Sequence, residues 1–320
     1  MIILTGGAGF IGSCVLKALN EIGRDDVLIV DSLRSGSKWK NLVGKRFIDI
    51  ISKEQFRAGI DADAFDVDVD AVIHFGACSS TTESNADYLY DNNYLYSIDV
   101  AEYAISRNAR FIYASSAATY GDGSLGYADA TVDLRPLNMY GYSKHLFDMW
   151  VRKNDMADVC VGLKLFNVFG PNEEHKGDMR SMVSKAYDQI VESGSVQLFA
   201  SNDAAYADGG QMRDFVYVKD VTRVVLQLLA RTDVNGIYNL GTGTARTWND
   251  LVKAVAKTMK KRPKITYVDM PDHVKDQYQN FTQADMTSFT TVFPDFEFTS
   301  LEDAVADYVG GHLMQRWQTY

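Results

Sequence analysis

The sequence lacks paired cysteines, long hydrophobic runs and an N-terminal targeting signal. Its three cysteines, Cys14, Cys78 and Cys160, lie far apart and form no CxxC pair. This spacing excludes a cysteine zinc site and a disulfide framework, and it predicts reduced thiols in a cytoplasmic protein. No apolar run approaches the ~18 residues of a membrane span. The first residues also lack the basic region of a signal peptide.

The sequence also has fewer basic than acidic residues. The chain has 32 Lys and Arg against 42 Asp and Glu, which gives a formal net charge of -10 and a pI near 5.0. An acidic surface argues against broad binding of nucleic acids or anionic membranes, so neither partner is expected. The five histidines include no pair with metal-ligand spacing, and we predict no metal site. The 46% hydrophobic and 23% charged residues are typical of a globular protein.

Short apolar runs alternate with helical stretches in the first half of the chain. A long helix is predicted at about 87–106, and strands are predicted at 2–5, 27–30, 47–50, 71–75 and 110–114. Apolar runs of this length between helices indicate a buried parallel sheet. We therefore predict an α/β fold, with a Rossmann-like doubly wound parallel sheet and a smaller C-terminal α/β lobe.

A glycine-rich turn follows the first predicted strand and opens the first predicted helix. Gly6, Gly9 and Gly12 form the pattern G-x-x-G-x-x-G. Glycine permits a tight turn that brings the backbone close to a pyrophosphate, and the helix N-terminus supplies free N–H groups and partial positive charge. Because the turn lies between a predicted strand and a predicted helix, as in dinucleotide-binding folds, it predicts a dinucleotide site.

Residues at the ends of the second and fourth strands bear on the choice of cofactor. Asp31 lies where a carboxylate binds a ribose hydroxyl, which is typical of NAD. Arg34 and Lys38 follow closely and can neutralise a 2′-phosphate, which favours NADP, so NAD stays open as the alternative. The segment 76–79 is expected to run beside the cofactor. Within it, Cys78 has no adjacent base, and we interpret it as a packing residue.

A phenol and an ammonium group lie on one face of a predicted helix. Tyr140 and Lys144 are four residues apart, and a phenol beside a fixed cation loses its proton more easily. Ser116 ends the fifth strand, at the ligand-facing edge of a doubly wound sheet, and can hydrogen-bond a reacting oxygen. These groups predict an enzyme that oxidises or reduces an alcohol carbon. The structural alternatives are a turn cap for Ser116 and a half-buried ring for Tyr140.

The order of these motifs resembles the extended short-chain dehydrogenase/reductase family. The resemblance narrows to its ADP-L-glycero-D-manno-heptose 6-epimerases in the strings GACSSTTE at 76–83, SSAATYG at 115–121, HKG at 175–177 and FTQAD at 281–285. It implies an NADP-dependent isomerase that interconverts the C6″ epimers of ADP-manno-heptose, a lipopolysaccharide core precursor. It also implies a homo-oligomer.

Carried over position by position, the resemblance implies a set of site residues. Tyr140 and Lys176 match two proton-exchanging residues. Cofactor contacts are implied at Phe10, Ile11, Asp31, Ser32, Lys38, Lys53, Phe75, Gly76, Ala77, Cys78, Ser79, Asn92, Tyr140, Lys144, Val168 and Lys176. Substrate contacts are implied at Ser79, Ser116, Asn167, Asp178, Lys185, Phe199, Ala200, Ser201, Asn202, Arg213 and Tyr278.

Two of these roles carry their own chemical requirements. Lys176 acts as a base only when neutral, which requires a pKa lowered by burial or by a nearby cation. Arg213 offers a planar guanidinium that matches the oxygens of a diphosphate. The alternative for Arg213 is an ion pair with Asp214 or Asp220.

The implied dinucleotide-binding domain covers 1–166 with about 213–241 and 279–292, and the substrate-binding domain covers about 167–212, 242–278 and 293–320. Asp178, Lys185 and Phe75 depart from the family pattern, in which serine, histidine and an acidic residue are usual. Lys185 is a candidate to neutralise the added Asp178 carboxylate. The alternatives are another nucleotide-sugar epimerase, of the UDP-hexose 4-epimerase type, and an inactive NAD(P)-sensing protein.

Overall fold

The computed structural model describes residues 1–65, 68–275 and 278–320, and strands form its centre. The strands are β1 (Ile2–Thr5), β2 (Val27–Val30), β3 (Asp49–Ile51), β4 (Ala71–His74), β5 (Arg110–Ser116), β6 (Cys160–Leu165), β7 (Asn167–Phe169), β8 (Ser195–Phe199), β9 (Met212–Tyr217), β10 (Gly236–Leu240), β11 (Ala245–Thr247) and β12 (Lys264–Val268). Those predicted at 2–5, 27–30 and 71–75 appear within a residue of their expected bounds.

Helices connect and cover these strands. They are α1 (Phe10–Glu21), α2 (Lys53–Asp61), α3 (Ala86–Leu89), α4 (Tyr96–Ser106), α5 (Met139–Lys153), α6 (Met182–Ser193), α7 (Val218–Ala230), α8 (Trp248–Thr258), α9 (Asp272–Lys275), α10 (Thr287–Val292) and α11 (Leu301–Tyr308). The long helix predicted at about 87–106 is α3 and α4 joined by a π-helical turn, Tyr90–Leu95. Within the described ranges, no helix combines the length and apolarity needed to cross a membrane.

The central sheet has seven parallel strands in the order β10-β6-β5-β4-β1-β2-β3. The connections run one way from β1 to β3 and the other way from β4 onward, so the direction reverses between β1 and β4. In open α/β sheets, ligands bind outside the carboxyl ends of the strands at such a reversal. The predicted doubly wound α/β fold is confirmed.

Alternation of side chains explains why the inner strands are apolar throughout. Ile2 and Leu4 of β1 point into the core under α1 and α7, whereas Ile3 points into the core on the opposite face. Ala71 and Val72 of β4 divide between the same two cores. A strand buried on both faces needs apolar residues at every position, which is the pattern that predicted a parallel sheet.

Two small sheets lie beyond the central one. One has the order β11-β9-β7, and the other pairs β12 with β8. A third core joins α6, α8 and α11 to these strands. The chain leaves the central sheet after Leu165, the last residue of β6, and continues as β7 beside β9.

Candidate active site

A cavity of about 920 Å³ opens at the carboxyl ends of the central strands, where the connections reverse direction. Its walls are the glycine turn, the segment after β4, the end of β5, the start of α5, the segment after β7, and residues of β8 and α8. This volume lies near the upper end of the range of about 300–1,000 Å³ that is usual for ligand pockets.

The glycine turn forms one end of the cavity and is closely packed. Gly6 has a φ of +70°, and a Cβ on it would lie 2.7 Å from the Gly76 nitrogen. A Cβ on Gly12 would lie 2.2 Å from the Gly6 carbonyl oxygen. Across the described residues, the backbone N–H groups of Phe10, Ile11 and Gly12 have no hydrogen-bond acceptor. These N–H groups at the start of α1 fit the pyrophosphate of a dinucleotide.

Asp31 and Lys38 lie together beside the turn. The Asp31 carboxylate accepts the Ala8 N–H at 2.9 Å and the Ser32 N–H at 2.7 Å, and it is paired with the Lys38 ammonium. Asp31 and Lys38 line the cavity, but Ser32 does not. The carboxylate suited to a ribose hydroxyl and the cation suited to a 2′-phosphate are therefore direct neighbours.

Lys53 and Asn92 lie together, outside the cavity lining. The Lys53 ammonium donates to Asn92 Oδ1 at 3.1 Å and to Asp91 Oδ2 at 3.2 Å. These contacts join the start of α2 to the π-helical turn. The structure thus places the two residues beside each other without bringing them to the cavity wall.

The segment after β4 is held by a residue that sequence reasoning missed. Phe75, Gly76, Ala77, Cys78 and Ser79 line the cavity. Buried Asn93 accepts the Cys78 N–H at 2.8 Å and donates to the Cys78 carbonyl at 2.9 Å. Asn93 lies in the π-helical turn, and such turns often occur at functional sites.

Ser116, Tyr140 and Lys144 meet at the cavity wall. Asn138 caps the start of α5, where Tyr140 is half-buried, by accepting the Gly141 N–H at 2.9 Å. The Lys144 ammonium is buried and donates to the Ala114 carbonyl at 2.9 Å. Ser116 does cap a turn, since its Oγ accepts the Ala118 N–H at 3.1 Å, and it lines the cavity as well.

The expected lowering of the Tyr140 pKa was wrong. Burial raises the Tyr140 pKa, and a hydrogen bond with Ser116 opposes the rise. Burial also lowers the pKa of Lys144 to about 8.

Lys176 lies in a 3₁₀ segment, Glu174–Met179, which follows β7. Its ammonium lies 5.6 Å from the centre of the Phe10 ring, and the side chain lines the cavity. Burial lowers the Lys176 pKa, and the negative charge of Glu173 opposes this. The direction meets the requirement for a lysine that acts as a base.

Glu173 is a second residue that sequence reasoning missed. Its side chain is 1% exposed and accepts the Ser181 N–H at 2.6 Å and the Ser181 hydroxyl at 2.5 Å. Its backbone carbonyl accepts the Lys176 N–H at 3.0 Å. Glu173 therefore ties the Lys176 segment to the start of α6. The charged string at 173–176 gave no sign of this burial.

Arg213 is a buried cation stacked between two aromatic rings. Its guanidinium lies 4.8 Å from the centre of the Tyr278 ring and 5.6 Å from that of Trp248, and both rings line the cavity. It has no carboxylate partner in the described part of the chain, because Asp214 binds backbone N–H groups of 242–243 and 284 instead. A buried unpaired cation is costly, so this position suits an anionic ligand.

The other residues implied for the substrate divide into two groups. Those that line the cavity are Ser79, Asn167, Lys185, Phe199 and Tyr278, together with the cofactor residue Val168. Those that do not line it are Asp178, Ala200, Ser201, Asn202 and Arg213. Asp178 is exposed, and the Ala200 N–H bonds the Val268 carbonyl at 2.8 Å.

Comparisons with known proteins agree with this geometry. Residues 2–241 match the NAD dependent epimerase/dehydratase family. The chain is 52% identical over 316 residues, 98% of each chain, to ADP-L-glycero-D-manno-heptose-6-epimerase of Nitratidesulfovibrio vulgaris strain DP4. It is 43% identical over 325 residues, 98% of each, to the protein of that name in Fusobacterium nucleatum. The solved structure of the Helicobacter pylori protein of that name is 29% identical, with a TM-score of 0.81, over 97% of this chain and 95% of that one.

Proposed function

The chain belongs to the NAD dependent epimerase/dehydratase family, and we propose that it converts ADP-D-glycero-β-D-manno-heptose to its L-glycero epimer at C6″. The observation that carries this proposal is identity of 52% across nearly the whole chain to a relative with that name. The site supports it, because Tyr140 and Lys176 line one cavity together with the glycine turn. The protein is thus an isomerase that uses a nicotinamide dinucleotide.

The reaction inverts an alcohol carbon without net oxidation. The glycine turn and Lys144 would hold the dinucleotide, which would supply hydride chemistry, so that C6″ would lose a hydride to give a ketone and regain it on the opposite face. The cavity must therefore let the carbonyl turn over, so that its oxygen points in two directions. One acid–base group cannot reach both positions, since proton transfer needs contact at about 3 Å.

Two residues of this chain supply the two proton-transfer positions in our proposal. Tyr140 exchanges the proton of one epimer, and Ser116 holds the same oxygen by a hydrogen bond. Lys176 exchanges the proton of the other epimer, which its lowered pKa supports. Lys144, which lines the cavity, would hold the ribose of the dinucleotide.

Positively charged side chains support a choice of dinucleotide and a position for the substrate diphosphate. We propose NADP as the preferred dinucleotide, because Lys38 at the cavity wall can leave Asp31 and pair with a 2′-phosphate. We propose that the substrate diphosphate approaches Arg213, where a buried cation lacks a carboxylate among the described residues. Lys185, which lines the cavity, adds a second positive charge, which suits a diphosphate bridge.

The direct test is incubation of the purified protein with ADP-D-glycero-β-D-manno-heptose, followed by separation of the C6″ epimers. Tyr140→Phe and Lys176→Met should each lose most activity and still fold. Tyr142→Phe and Lys153→Met are matched controls, because both side chains are exposed and lie outside the cavity wall. These two should keep the parental rate.

Three outcomes would change the proposal. No turnover of ADP-heptose, with turnover of a UDP-hexose, would assign a different nucleotide sugar. Dinucleotide binding without turnover of either would indicate a sensor. A near-parental rate for Lys176→Met would remove the second base. We also propose the domain limits and a homo-oligomeric assembly from the family resemblance, and a cytoplasmic location from the three unpaired cysteines.

A further inference from the structure

Five buried polar side chains, which we call the Asp148 cluster, lie beneath the candidate active site. They are Tyr113, Ser115, Thr119, Asp148 and Lys164, each at most 2% exposed. Asp148 accepts hydrogen bonds from the Tyr113 hydroxyl at 3.0 Å, the Ser115 hydroxyl at 2.7 Å and the Lys164 ammonium at 2.6 Å. Lys164 also donates to Thr119 Oγ1 at 2.9 Å.

The cluster joins the elements that carry the proposed reactive groups. Asp148 lies one turn after Lys144 on α5, and Ser115 directly precedes Ser116 at the end of β5. Lys144 itself donates to the Ala114 carbonyl of β5 at 2.9 Å. Two consecutive turns of α5 are therefore hydrogen-bonded to the last residues of β5. Thr119 extends the network to the turn that Ser116 caps.

The energetics indicate a role other than stability. A buried ion pair gains little over well-packed apolar residues of the same volume, because both charges lose their hydration. Loss of one partner alone is costly, since it strands a buried charge. The chain nevertheless places a lysine and an aspartate in its core, adjacent to the cavity. We therefore interpret this lysine and aspartate as residues that fix the relative positions of α5 and β5, because hydrogen bonds are directional and apolar packing is not.

We propose that Asp148 is a positioning residue that sets the separation between α5, with Tyr140 and Lys144, and the end of β5, with Ser116. This inference rests on the proposed function of those three residues. Proton transfer and hydride transfer require reacting groups in contact, and a misplacement of about 1 Å can cost about a hundredfold in rate.

The cluster also has an electrostatic consequence for Lys144. Burial lowers the Lys144 pKa to about 8, and the Asp148 charge opposes that change. The other titratable groups that face Lys144 are Cys78, which follows β4, and His74 at the end of β4. Loss of the Asp148 charge should lower the Lys144 pKa further. Lys144 would then lose its proton at a lower pH.

The test compares substitutions at the cluster with a buried carboxylate elsewhere. Asp148→Asn keeps the volume and removes the charge, and Lys164→Arg keeps the charge. Asp220→Asn is the matched control, because Asp220 is 1% exposed, binds Thr299 and Arg223, and lies outside the cavity wall. Measurements are kcat and KM for ADP-heptose as a function of pH, dinucleotide affinity, and the urea midpoint.

Asp148→Asn should lose about a hundredfold in kcat, with little change in KM or dinucleotide affinity, and its alkaline limb should move to lower pH. Lys164→Arg should keep most of the activity. Asp220→Asn should lose stability but keep kcat and the pH profile. If Asp148→Asn does not fold, Tyr113→Phe, which removes one hydrogen bond to Asp148, should show a smaller loss in kcat.

Parental kcat and an unmoved alkaline limb in Asp148→Asn, or in Tyr113→Phe where that variant is used, would overturn the positioning role. An equal loss of kcat in Asp220→Asn would also overturn it, because the effect would then be general destabilisation. A parent protein that does not turn over ADP-heptose would instead overturn the proposed function.

Discussion

Acid should destabilise the protein through His74, which lies at the end of β4 and is 2% exposed. Thr5 Oγ1 accepts the Gly76 N–H at 2.9 Å, so its hydroxyl donates to His74 Nδ1 at 2.8 Å. The Ser97 hydroxyl donates to the Asn93 carbonyl at 2.7 Å, so it accepts from His74 Nε2 at 2.9 Å. Both ring nitrogens are satisfied in the neutral imidazole, and a second proton would displace the Thr5 donor.

The magnitude follows from the difference between the folded and unfolded pKa. Burial, assisted by the charge of Lys144, lowers the His74 pKa from 6.5 to about 3. Between these values the unfolded chain binds a proton that the native protein does not, so stability falls as the pH falls. The loss is about 1.4 kcal/mol per pH unit, or about 2 kcal/mol between pH 6.5 and about pH 4.5.

The assay is urea unfolding at a series of pH values, followed by tryptophan fluorescence, for the parent and for His74→Gln. Glutamine offers one donor and one acceptor but does not titrate. The variant should have a lower free energy of unfolding than the parent at neutral pH. On acidification this free energy should fall more slowly than in the parent, and the difference in slope should correspond to about one bound proton. Parallel pH dependences for the two proteins would refute the reasoning, because His74 would then titrate equally in both states.

Three further predictions concern the site. Gly12→Ala should lose most of its affinity for the dinucleotide and about 1–3 kcal/mol of stability, because its Cβ would lie 2.2 Å from the Gly6 oxygen. Dinucleotide titration and urea unfolding measure these losses. The control is Gly310→Ala, whose Cβ would lie 3.8 Å from its nearest neighbour. Lys38→Ala should bind NADP and NAD equally if the parent prefers NADP, and an unchanged preference would reject the 2′-phosphate role. Glu173→Gln removes a charge that raises the Lys176 pKa, so the acid limb of kcat should move to lower pH; an unmoved limb would contradict that coupling.

Local patterns in the sequence were enough to predict the central sheet and the glycine turn. A strand buried on both faces is recognisable from its continuous run of apolar residues. A turn that can bind a pyrophosphate is recognisable from the spacing of its glycines. Most residues implied for the cavity also lie in its wall, since they follow the ends of adjacent parallel strands.

Contacts between distant segments were not predictable in this way. The stacking of Arg213 on Tyr278 and Trp248 depends on three segments that only the folded chain brings together. The burial of Glu173 depends on the packing of α6 and the segment before it. The direction of the Tyr140 pKa was missed for the same reason, because burial raises this pKa more than the hydrogen bond with Ser116 lowers it.

The π-helical turn at Tyr90–Leu95 makes the number of residues in that stretch important, because the number sets where the Asn93 side chain lies. Deleting one residue there would restore an ordinary α-helix and rotate the preceding part by about 100° relative to the following part. Asn93 would then leave Cys78, and the wall beside the cofactor would lose its two hydrogen bonds. Active relatives should therefore keep both the length of this turn and an asparagine at the position of Asn93.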